Sequence, residues 1–123
     1  FKGVLDGQSE GVFQGKVIVR PDAQKKDGRQ MTQALLLSRD AAMNAKPELE
    51  IYADDVQCAH GSTVGELSKD ALFYLRSRGI PEAEARRLLV LAFLDDVIAL
   101  APHEEAREIL RGLVSGWFEE ASI

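Results

Sequence analysis

The run Lys46 to Gly65, KPELEIYADDVQCAHGSTVG, holds the single cysteine of the chain, Cys58, and one of its two histidines, His60. They stand two residues apart, so an extended backbone turns Val56, Cys58 and His60 to one face. A thiolate beside an imidazole suits a soft or borderline metal, or redox exchange. Two such groups do not complete an iron–sulfur site, which usually takes four ligands. A cluster held here needs ligands from another chain.

Each residue also has a plainer reading. Cys58 can pack as a small hydrophobe in a strand. His60 can be a hydrogen-bonded histidine at a strand end, before the Gly61 turn. The strand end is the more accessible of the two places, which favours His60 for an interface role. A nucleophilic Cys–His pair is a rival, because strand neighbours two apart have Cα atoms roughly 6.5–7 Å apart. Such enzymes also need an orienting group and an oxyanion hole. Nothing fixes Asp54 or Asp55 against His60, and that acidic pair reads better as a turn. GVFQGK, Gly11 to Lys16, fails as a phosphate loop: it is one residue short, and Val17 stands where Ser or Thr is required.

The elements around these residues change character near Gly65. Upstream, Gly3, Gly7, Gly11 and Gly15 punctuate the chain too often for helix. Val12–Phe13 and Lys16 to Arg20 read as short strands stopped by Pro21–Asp22. Asp22 to Gln30 is polar and carries Asp27–Gly28, a turn signal. Leu35 to Leu37 is an apolar run of strand length, and Ser38 to Ala45 reads as loop or a short helical turn. Leu49 and Ile51 alternate with Glu48, Glu50 and Tyr52. Short strands without Asn-Gly hairpin turns fit a solenoid or an irregular sandwich, and no repeat of fixed length is visible.

Downstream the pattern is helical. Ser68 is an N-cap for a helix over Lys69 to Arg78, and Gly79 suits C′. Pro81 opens a second helix at N1 that runs to about Leu100, with Glu82 and Glu84 in its first turn. Pro102 opens a third, in which Ala106, Ile109, Leu110, Leu113, Val114, Trp117 and Phe118 form a stripe. In the second helix Leu88 to Leu94, Val97 and Ile98 cover more than one face. Such a helix packs on two sides, or binds a partner with one of them.

Composition bounds the function. A chain of 123 residues, 46% hydrophobic and 28% charged, is globular. Net charge −5 and pI about 5.0 disfavour nucleic acid, which needs clustered positive charge. No apolar run approaches the roughly 18 residues of a membrane span. One cysteine allows no internal disulfide, in keeping with a reducing cytoplasm. The chain opens on Phe1 within a glycine-spaced apolar pattern and reads as part of a longer protein. An excised repeat unit leaves an open edge, which also allows a homodimer of the isolated chain.

The same residues carry a family resemblance. The pattern KPxLEIYxDDVxCxHGATxG is met at Lys46, Pro47, Leu49 to Tyr52, Asp54 to Val56, Cys58, His60, Gly61, Thr63 and Gly65, and resumes as LFYLRSRGI at Leu72 to Ile80. The upstream run FKGVLDGQSEGVFQGKVIVRPDAQKKDGRQMTQALLLS is similar to the same family's pattern. The chain resembles the C-terminal part of the SufD branch of the SufB/SufD family, scaffolds of SUF iron–sulfur cluster assembly. Departures are small: Ser62 replaces Ala, and Gln33 and Ala34 stand where Asn is common. The SufB branch has a cysteine near Ala34 and lacks the CxHG element, so both features point to the SufD branch.

The resemblance implies a fold, mainly β then α. Residues 1–66 would be the end of a right-handed parallel β-helix. Residues 67–123 would be a helical domain of about three helices. It implies a non-catalytic scaffold in a complex with SufB and with the ATPase SufC. Cluster assembly would occur near the SufB contact, with Cys58 and His60 as candidate metal residues shared with that partner. SufC would dock on the second helix, at candidates Phe93, Leu94 and Val97. No cofactor is expected to stay on this chain alone; iron or an iron–sulfur cluster would be transient in the full complex. Two alternatives stand beside this reading. One is a β-helix carbohydrate-active enzyme, which would show a groove of acidic and aromatic residues; aromatics are 7% of the chain and no such cluster is evident. The other is a plain adaptor with no metal role.

Overall fold

The structure, a computed structural model, describes residues 1–121. Five strands come first: β1 (Lys2–Leu5), β2 (Glu10–Val19), β3 (Lys26–Leu36), β4 (Ala42–Ile51) and β5 (Val56–Glu66). Three helices follow: α1 (Lys69–Arg76), α2 (Glu82–Ile98) and α3 (Glu104–Ala121). The chain divides into two compact units, Phe1–Glu66 and the residues from Leu67 on. Ser122 and Ile123, the end of the expected helical region, lie outside the described residues. No described helix is long and apolar enough to cross a membrane.

The strands form two sheets, β1-β3-β5 and β2-β4, and every pairing is parallel. Parallel neighbours need a long crossover, and here each crossover contains a strand of the other sheet. Register partners lie 30 to 32 residues apart: Gln30 beside His60, Gly3 beside Ala34, Glu10 beside Ala42. The interval changes from pair to pair, which hides the repeat in the sequence.

The two sheets bury facing sides. β2 alternates between exposed and half-buried from Glu10 and ends at buried Val19, while β3 buries Gln30, Thr32 and Ala34. Phe1 and Phe13 meet between them with ring centroids 4.6 Å apart. Gly15 of β2 is required by this approach. A Cβ there would collide with the Gln30 carboxamide and lie 2.7 Å from Phe13 Cζ. Pro47 is tolerated within β4 because that strand pairs with β2 alone.

Two local expectations are corrected. Asp27–Gly28 is not a turn but part of β3, paired with Gln57 and Cys58. Ladder bonding to β5 outweighs the local preference, and Asp27 is occupied by the Arg29 guanidinium at 2.8 and 2.9 Å. The turn sits earlier, where the Ala23 amide donates to the Arg20 carbonyl at 3.0 Å. Lys25 takes a left-handed conformation there (φ 57), held by its amide donating to the Asp55 carbonyl at 2.6 Å. Leu37 to Asp40 form bends, and β4 begins at Ala42, so no helical turn occupies that stretch.

In the helical unit Ser68 caps α1, its hydroxyl accepting from the Ala71 amide at 3.2 Å. The helix ends through left-handed Gly79 (φ 83). The Gly79 amide donates to the Arg76 carbonyl and the Ile80 amide to the Leu75 carbonyl, at 2.9 and 3.4 Å. This paired bonding is the Schellman stop that Gly79 predicts. Pro81 is the N-cap of α2 and not N1, because its ψ of 150° is extended. Pro102 lies in a bend; the first α3 turn closes at His103, whose carbonyl accepts from the Arg107 amide at 3.2 Å. The core of this unit is Ala85, Val90, Ile98 and Phe118. Arg111 of α3 holds Asp95 of α2 at 2.8 Å, which keeps the Asp95 carboxyl below the usual aspartate range.

Candidate functional site

Among the described residues β5 pairs only with β3, so the rungs of these two strands define the site. Parallel register partners point their side chains the same way. The inner-face rungs are Gly28–Cys58, Gln30–His60 and Thr32–Ser62. Contacts on both faces agree. A Cβ on Gly28 would lie 3.6 Å from Cys58 Sγ, and one on Gly61 would lie 2.8 Å from Met31 Cε on the opposite side. Cys58 and His60 therefore share a face, as alternation predicts, but His60 is not at a strand end: Gly61 makes no turn, pairs with Met31, and β5 continues to Glu66 because the ladder to β3 continues.

Their exposure differs. Cys58 is a free, half-buried thiol, and His60 is exposed. Val64, further along the same face, is 46% exposed. The second sheet ends at β4, and among the described residues no further strand follows β5 in either sheet. On that face His60 and Ser62 are exposed, while Cys58 is half-buried. This serves His60 more than Cys58.

The chemistry available is one thiol and one imidazole. Among the described residues no group of three or more His, Cys, Asp or Glu is placed to hold a metal ion. His103, the other histidine, belongs to the helical unit. The pair can contribute ligands to a shared site but does not build one. Asp54 and Asp55 lie in bends, and Asp55 is tied through its backbone to Gln24 Oε1 at 2.9 Å and to Lys25.

Two residues of this region escape sequence reasoning. Gln30 is 6% and Thr32 2% exposed, and Gln30 Nε2, Gln30 Oε1 and Thr32 Oγ1 have no protein partner. In the sequence, Gln30 reads as the end of the polar stretch that begins at Asp22. The only hint is that Gln30 and Thr32 share alternation with Ala34.

On the helices, Phe93, Leu94 and Val97 are half-buried, so none offers a wholly free surface. Both sides of α2 are used by the unit itself, because α1 and α3 each pack against it. The exposed apolar side chains are Leu88 on α2, Phe73 and Tyr74 on α1, and Ile109, Leu110 and Leu113 on α3. A groove of about 400 Å³ runs between α2 and α3, with Leu88, Leu91, Ile98 and Val114 in its lining and the Asp95–Arg111 pair beside them.

Comparison with known proteins fits this architecture. Residues 1–93 match the family model described as SUF system FeS cluster assembly, SufBD core domain. A SufBD family iron–sulfur cluster assembly protein of Synechocystis is 42% identical over 93% of this chain and 25% of its own length. The chloroplastic protein ABCI7 of Arabidopsis thaliana is 42% identical over 92% of this chain and 24% of its own length. The iron–sulfur cluster assembly protein SufD of Escherichia coli is 42% identical over 75% of this chain and 22% of its own length. The chain thus spans a quarter or less of the length of these relatives. With a family match over three quarters of its residues and parallel strands that carry the CxHG element, this chain belongs to the SufBD family of the SUF iron–sulfur cluster assembly system.

Proposed function

We propose that the chain is a non-catalytic scaffold segment that offers His60, with Cys58 beside it, to a cluster assembly site completed by SufB. The observation that carries this reading is the open inner face of β5, where His60 is exposed and in register with a buried polar rung. Family membership supplies the iron–sulfur context, and the shortage of ligands within the chain supports a shared site. The two parallel sheets, with strands alternating between them, support the reading of this unit as the last coils of a right-handed parallel β-helix. The helical unit is the docking element for SufC, its exposed apolar residues supplying the contact. The iron–sulfur cluster is cargo and product here, and the protein works in a reducing compartment such as the cytoplasm.

His60→Ala tests the reading against Cys58→Ala, with cluster formed per assembled complex as the measurement and complex integrity checked separately. The expected result is severe loss for His60→Ala and near-normal assembly for Cys58→Ala. Normal assembly by the His60 variant removes this site from the mechanism and leaves the adaptor role.

A further inference from the structure

Gln30 presents a problem of physical chemistry. Its carboxamide is more than nine-tenths buried, and neither its donor nor its acceptor has a protein partner. A buried polar group left unpaired is strongly disfavoured, and native interiors pair nearly all of them. Leu or Met would fill the same space at no such cost. The position is also enforced from across the interior: the carboxamide lies over Gly15, where any side chain would collide with it.

The register names a partner. Gln30 and His60 occupy one rung, on one face, with neighbouring strands about 4.8 Å apart. His60 is itself without a hydrogen bond among the described residues. A ligating histidine uses one ring nitrogen for the metal and needs an acceptor for the N–H of the other. A neutral carboxamide oxygen meets that need.

We propose that Gln30 is a positioning residue for His60. Its Oε1 accepts the imidazole N–H, which holds one tautomer and leaves the second nitrogen free as a ligand. The pairing satisfies two groups that otherwise lack partners. The same-face rungs on either side, Gly28–Cys58 and Thr32–Ser62, carry neither a carboxylate nor a cation, and Gly15 of β2 lies against the carboxamide from across the interior. The inference rests on the reading of His60 as a metal-site residue. The rival is an ordered water taking the carboxamide's bonds, fed from the pocket of about 250 Å³ that Gln30 lines with Phe1 and Lys16.

Ring-labelled histidine decides between them. In a His103→Gln background His60 is the sole histidine, and its ¹⁵N shifts report the tautomer. We expect one dominant tautomer in this parent, a mixture in Gln30→Leu, and recovery in Gln30→Glu, which keeps an acceptor at the same reach. Cobalt(II), added alone as a visible probe, should bind about tenfold more weakly to Gln30→Leu than to the parent. The free-imidazole mixture in the parent, or an unchanged tautomer and cobalt affinity in folded Gln30→Leu, overturns the proposal. If Gln30→Leu does not fold, the parent and Gln30→Glu spectra decide it. A parent that binds no cobalt counts against the metal reading of His60, while the tautomer ratio still reports the Gln30–His60 bond.

Discussion

Cys58 and His60 differ by two positions in the chain and by much more in circumstance. The thiol lies against the Gly28 rung, half-covered, while the imidazole is exposed. Alternation in the sequence places both on one face, but it does not say which of them is covered. The rung beneath them is specified by space as much as by chemistry. Gly15→Ala should destabilise the strand unit by about 1–3 kcal/mol, because the new methyl overlaps the Gln30 carboxamide and the Phe13 ring in a filled interior. Chemical denaturation measures this directly. An unchanged midpoint would mean that the interior at Gln30 is looser than the structure has it.

At the scale of elements, the sequence marks helix ends better than helix faces. Ser68 and Gly79 act where their side-chain chemistry and backbone freedom place them, since caps are local effects. The broad apolar character of α2 proves to be mostly internal packing, and the surface left over includes Leu88 at 42% exposure. This separates two classes of substitution. Leu88→Asp should leave the helical unit folded and weaken ATPase binding by about 2 kcal/mol or more if Leu88 is a hot spot of the docking surface. Val97→Asp and Phe93→Asp should lower thermal stability first, since each buries a charge among half-covered apolar groups. Calorimetry of partner binding, run beside thermal melts of the same variants, checks both. If Leu88→Asp and matching changes at Ile109 and Leu113 all bind normally, the proposed docking surface on this unit is wrong.

At the scale of the molecule, the described residues hold one thiol and one imidazole on a common strand face and no group of three candidate ligands. Anaerobic reconstitution of the isolated chain with iron and sulfide should therefore give protein without the visible absorption of a cluster. A stoichiometric cluster on monomeric chain would show that two ligands and solvent suffice. The sequence by itself determined the order of strands before helices, the family, the helix stops, and the common face of Cys58 and His60. Those follow from local periodicity, capping chemistry and a specific motif, each contained within a few residues. Only the tertiary structure decided that Asp27–Gly28 belongs to a strand, that Gln30 and Thr32 lie inside, and that Phe93, Leu94 and Val97 are half-covered. These depend on partners some 30 residues away or on another helix. The spacing of those partners varies along the chain, and no local pattern encodes which side chain meets which across a parallel rung.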